Sequence, residues 1–139
     1  MKYREIISAA AGAVAAALSK LFGGFDGAVV TLMIFMAVDY ISGILIAAVF
    51  KKSPKSKNGA LESRAGFKGL ARKGITLLIV MLAFRLDGIT GQNFIADGVI
   101  IAFITNEAIS ITENAAIIGI PMPKALTRAI DVLKTEQET

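Results

Sequence analysis

The stretch 51-KKSPKSKNGALESRAGFKGLARK-73 decides how the rest of this chain is read. It holds eight basic residues, Lys51, Lys52, Lys55, Lys57, Arg64, Lys68, Arg72 and Lys73, against a single acid, Glu62, and apolar sequence lies on both sides. Lys and Arg accumulate in short loops on the cytoplasmic side of a membrane, because carrying them across against the membrane potential is unfavourable. The pattern therefore predicts a basic cytoplasmic loop over 51–73 and fixes the orientation of its neighbours.

Composition supports a membrane chain. The 139 residues are 55% hydrophobic, and adding the 13 glycines gives about 64%, against roughly 45–50% for soluble domains by the same definition. The length suits one domain, 1–139, holding three or four spanning helices of about 20 residues each. The net charge of +4 hides an asymmetry, since the basic loop carries +7 and the remainder −3. Basic charge concentrated there opposes a nucleic-acid partner and favours attraction to anionic lipid headgroups. With no Cys and no His, disulfides, thiolate or imidazole metal sites and Ser-His or Cys-His catalysis are excluded, and no cofactor is expected.

Four segments are candidate spans. The first, about 6–22, is Ala-rich and short, with Lys20 near its far end. Lys2 and Arg4 ahead of Ala15-Ala16-Ala17 also fit a cleavable signal sequence, but the chain beyond them is more membrane segment rather than a secreted domain. The second, 28–50, is long enough to span and carries one formal charge, Asp39, close to its midpoint. An ionised, unpaired carboxylate at that depth costs several kcal/mol, so Asp39 must face other helices or water, or be protonated. The third, 67–86, needs Lys68, Arg72 and Lys73 at the cytoplasmic headgroups and Arg85 snorkelling at the other face. The turns at 23–27 and 88–93 contain no Lys or Arg. Four helices, or three if the first does not span, with Met1 and Thr139 both cytoplasmic, satisfy this charge distribution.

The fourth segment, 94–118, is apolar by count yet contains Asn106, Glu107, Ser110, Glu113 and Asn114. At 100° per residue these five fall within an arc of roughly 120°, with Ile104, Ile109, Ile111 and Ala116 elsewhere. Such a face is too costly to leave against acyl chains, so it lines a polar cavity or pairs across a helix interface. Glu107 and Glu113 are the one pair with acid–base potential, but no nucleophile, metal set or oxyanion donor completes a catalytic site, and the chain is not expected to be an enzyme. Pro121 and Pro123 end the helix. The tail 121–139 then carries a short amphipathic helix over 124–134, with Leu126, Ala129, Ile130 and Leu133 on one side, expected at the membrane interface or on a partner.

With these residues laid out, the chain resembles the phage lysis and toxin-secretion holins of Gram-positive bacteria and their prophages, including the clostridial toxin-release holins. The resemblance rests on Gly23-Gly24-Phe25-Asp26, on Asp39-Tyr40-Ile41-Ser42-Gly43, and on Ser63, Gly66, Lys68, Gly69 and Lys73. It continues through Asn106-Glu107, Ser110, Glu113-Asn114, Gly119, Pro121 and Pro123. It implies an all-α integral membrane protein of the bacterial cytoplasmic membrane that forms homo-oligomers and opens lesions releasing an endolysin or a toxin. Readings from other classes are a non-lytic scaffold, a transporter accessory subunit or a small ion channel. They part from the first by whether a folded enzyme escapes the cell.

Overall fold

Asp26 starts the first long apolar helix: its carboxylate accepts from the Val29 backbone N–H at 2.9 Å, satisfying one of the donors a helix N-terminus leaves free. The computed structural model describes residues 2–22, 24 and 26–138, with side chains through 136, and every regular element among them is helical. Helix α1 is Lys2–Leu21, α2 is Gly27–Leu45 continued by a π-helical turn over Ile46–Phe50, α3 is Ser63–Thr90, α4 is Ile95–Ile117 and α5 is Lys124–Glu138. Gly23 and Phe25 of the first turn, and Met1 and Thr139, for which a cytoplasmic side was expected, lie outside the described residues.

Helices α2, α3 and α4 form the core. Val29, Leu32 and Met36 of α2, Val80 of α3, and Ile100 and Ile104 of α4 are buried together, and Phe22 closes one end. Asp87, at the far end of α3, accepts from the backbone N–H groups of Ile95 and Ala96 at 2.9 Å each, so α3 caps α4 directly across the turn. Gly91 ends α3 at φ +71, a left-handed conformation suited to glycine.

Of the four expected spans, two among the described residues, α2 with its extension (24 residues) and α4 (23 residues), are long and apolar enough to cross a membrane. Charge placement separates them from the others. In α1 the charges at Lys2, Arg4, Glu5 and Lys20 leave an uncharged stretch of about 14 residues, roughly 21 Å of rise, and in α3 Lys73, Arg85 and Asp87 leave about 11, roughly 16 Å. The hydrocarbon core is about 30 Å thick. Only 28% and 22% of the most apolar stretches of α2 and α4 are buried, which is not how the core helix of a soluble protein is placed. Their outer faces expose Ile34, Val38, Ile41 and Leu45 on α2, and α1 contributes no buried residue. Apolar surface on that scale calls for lipid or further protein.

Two expectations are corrected. The basic stretch 51–73 is not one loop: irregular chain covers 51–62, and Arg64, Lys68, Arg72 and Lys73 stand on α3, whose helix begins at Ser63. The early turns of α3 are held against α2 by Tyr40, whose ring packs over Gly66 and Gly69 and whose hydroxyl donates to the Gly66 carbonyl at 3.2 Å. The amphipathic tail helix forms but does not stand apart. It folds back along α4, with Leu133 against the core cluster, while Leu126 and Ala129 stay exposed.

Candidate functional site

Asp39 is buried in the middle of α2, 6% exposed, and its partners come from the other two core helices. Lys73 of α3 places its Nζ 2.8 Å from Asp39 Oδ2 and 2.7 Å from Glu107 Oε2 of α4. On the other Asp39 oxygen, Oδ1, the Ser110 hydroxyl donates at 2.6 Å and the Asn114 side-chain amide at 3.1 Å. The same amide donates to Ser42 Oγ at 2.8 Å, and Ser42 Oγ donates to the Asp39 backbone carbonyl at 3.0 Å. Three helices are thus joined by one ammonium, two carboxylates, two hydroxyls and one carboxamide.

The sequence places Lys73 there by periodicity. Lys73, Leu77, Val80, Phe84 and Asp87 follow the 3–4 spacing of one helix face, so the apolar stripe by which α3 packs into the bundle ends in a cation on one side and an anion on the other. Unlike Lys68 and Arg72, with which it was grouped in the sequence, Lys73 turns its side chain into the bundle, 15% exposed, as counter-ion to two acids. The reason is electrostatic. Two buried carboxylates from neighbouring helices meet there, and leaving them without a counter-ion costs about 3–5 kcal/mol. Lys73 also occupies the space between the carboxylates that a bound cation would need.

The expected polar stripe of α4 divides. Glu107, Ser110 and Asn114 turn into the bundle within an arc of about 60°, whereas Asn106 and Glu113 at the edge of the stripe are exposed. Glu107 and Glu113 therefore do not form an acid–base pair. Tyr40 and Ser42 act through contacts between segments distant in sequence, to Gly66 and Asn114, and Asp87 acts across the turn to Ile95 and Ala96, so hydropathy and charge pattern do not mark any of the three. The remaining basic residues Lys51, Lys52, Lys55, Lys57, Arg64, Lys68 and Arg72 are exposed.

Above this cluster a cavity of about 640 Å³ opens between α2, α3, α4 and the segment 53–62, with the Asp39, Lys73 and Glu107 side chains among its lining.

Comparison with known proteins matches the bacteriophage holin family over residues 16–135 of this chain. The chain belongs to the bacteriophage holin family. Among its relatives, a Bacillus phage phi105 protein named a probable holin is 30% identical over 108 residues, covering 77% of this chain and 74% of that one. An uncharacterised Clostridium perfringens protein is 35% identical, covering 84% of this chain and 82% of its own length. An uncharacterised Listeria monocytogenes protein is 39% identical, covering 79% and 74%. No solved structure matches. The matched range takes in α2, α3, α4 and nearly all of α5, so the ion cluster lies wholly within the holin-family region.

Proposed function

We propose that this chain acts as a holin of the bacterial cytoplasmic membrane, assembling into homo-oligomers that open lesions through which a cytoplasmic endolysin, or a secreted toxin, escapes. In this reading α1 to α4 all cross the bilayer, the 51–62 segment and both termini are cytoplasmic, and the turns at 23–26 and 91–94 face outward. The helices α1 and α3 are long enough for this at 20 and 28 residues, their charges lying towards the ends or paired inside the bundle.

The observation that carries the reading is the inward-turned cluster of Asp39, Lys73, Glu107, Ser110 and Asn114. A single chain shields these groups from lipid by pairing them across α2, α3 and α4. A ring of copies has another way to satisfy them, by rotating the helices so that the same groups face water. Exposed Asn106 and Glu113 already mark the edge of that face. Two arrangements of comparable cost, one dry and one wet, give a protein that accumulates harmlessly and then opens.

The test is co-expression with a cytoplasmic endolysin. Induction is expected to end in release of the folded enzyme. Growth arrest with ion leakage and no enzyme escape would assign a small channel, and normal growth at high membrane level would assign a scaffold or transporter accessory subunit.

A further inference from the structure

The cavity above the ion cluster contains positive groups that the cluster does not use. We infer that it is a binding site for a phosphate-bearing anion, and that its occupant is the headgroup of an anionic phospholipid.

The roof is built rather than loose. Ser53 N–H donates to the Gly59 carbonyl at 2.9 Å, and Ala60 N–H donates to Asn58 Oδ1 at 3.1 Å. Gly59, at φ +78, sits so close to the Lys51 carbonyl that any side chain there would collide with it. This closed turn holds Lys55 over the cavity from one side, while Lys68 and Arg72, one helical turn apart on α3, line it from the other. None of the three is in an ion pair among the described residues. Ser56 is also in the cavity lining. Glu62 is the one unpaired acid in the lining, and Asp39 and Glu107 at the floor are held by Lys73.

Size and position select the ligand. A volume of about 640 Å³ falls within the range of small-molecule sites. Two cations at i and i+4 with a third opposite them suit the spread charge of a phosphate, and the first-turn amides of α3 add positive potential. Ile44, Ile46 and Leu61 supply an apolar wall, which a free phosphate does not need and a glycerol backbone does. The choice of a lipid rests on the membrane orientation proposed above, which sets the cavity at cytoplasmic headgroup depth. The choice of phosphate does not.

The full chain, carrying Lys57→Cys with an environment-sensitive dye in neutral detergent, is titrated with short-chain phosphatidylglycerol, short-chain phosphatidylcholine and inorganic phosphate. Phosphatidylglycerol is expected to bind saturably and phosphatidylcholine not. The double variant K68Q/R72Q should weaken binding roughly tenfold or more, and K51Q/K52Q, which removes the same charge outside the cavity, by less than about twofold. Helical circular dichroism unchanged in K68Q/R72Q separates loss of the site from loss of the fold. Saturation by inorganic phosphate without phosphatidylglycerol would overturn the lipid as occupant and keep the phosphate site. Equal weakening in both charge variants, or no saturable binding, would overturn the site itself. Endolysin release is read separately, so a chain that releases enzyme but binds no anion loses only this site, and a chain that binds but never lyses loses only the holin reading.

Discussion

Lys73 and Asp39, 34 residues apart in sequence, meet at 2.8 Å inside the bundle, and the same ammonium reaches Glu107 at 2.7 Å. One cation therefore compensates two carboxylates contributed by two different helices.

Replacing Lys73 with Met leaves Asp39 and Glu107 facing each other without a counter-ion. The penalty is on the order of 3–5 kcal/mol, and the membrane-inserted fraction is expected to fall severalfold, measured by quantitative blotting of carbonate-washed membranes. Adding Asp39→Asn and Glu107→Gln to Lys73→Met should restore much of the level, because no unpaired charge then remains. A triple variant no better than the single one would show that Lys73 acts by packing rather than charge.

Glu107→Gln keeps shape and hydrogen bonding and leaves Lys73 paired one to one with Asp39. The variant should accumulate to normal or higher levels, since one ammonium and one carboxylate leave the cluster with no net charge, yet trigger late or fail to trigger. Glu113→Gln lies on the exposed edge of the same face and should accumulate normally with a smaller delay. Enzyme release per unit of inserted protein measures both.

Asp87→Ala removes the acceptor for Ile95 and Ala96 N–H and is expected to cost about 0.5–2 kcal/mol of stability. Thermal unfolding in detergent should show a lower Tm, with Asp87→Asn intermediate. An unchanged Tm would mean that the α3–α4 turn is held by other contacts.

The helical class, the central position of Asp39 and the polar character of α4 were legible in sequence because each depends on local composition or on period. Lys73 was visible only as one more basic residue in a run of eight, although the two acids opposite it in α2 and α4 required a cation that neither of those segments contains. The division of the α4 stripe was hidden because a 120° arc is wider than the contact between helices, and only packing decides which edge turns in. The roof over 53–62 depends on Gly59 closing against Lys51, a contact that no hydropathy pattern reports. The tail helix read correctly as amphipathic, but periodicity does not say whether its apolar side meets α4 or a membrane surface.

Orientation is tested with single cysteines, for which the native chain offers no background. Lys57→Cys should be protected from an impermeant thiol reagent in intact cells, and Gln92→Cys should react. Labelling at 57 but not at 92 reverses the topology, and protection at both favours a three-span or re-entrant arrangement.

If this chain opens lesions as proposed, the inward face of α4 becomes wet when they form. Ser110→Cys places a thiol beside Asp39, and Ile109→Cys provides a control on another face of the same helix. In cells co-expressing endolysin, the thiol at position 110 is expected to be unreactive before lysis onset and labelled within the onset window, while the thiol at position 109 does not change. Labelling at 110 that stays absent through complete enzyme release would contradict it, and would leave Asp39, Lys73, Glu107, Ser110 and Asn114 as the fastening of a helix bundle that opens elsewhere.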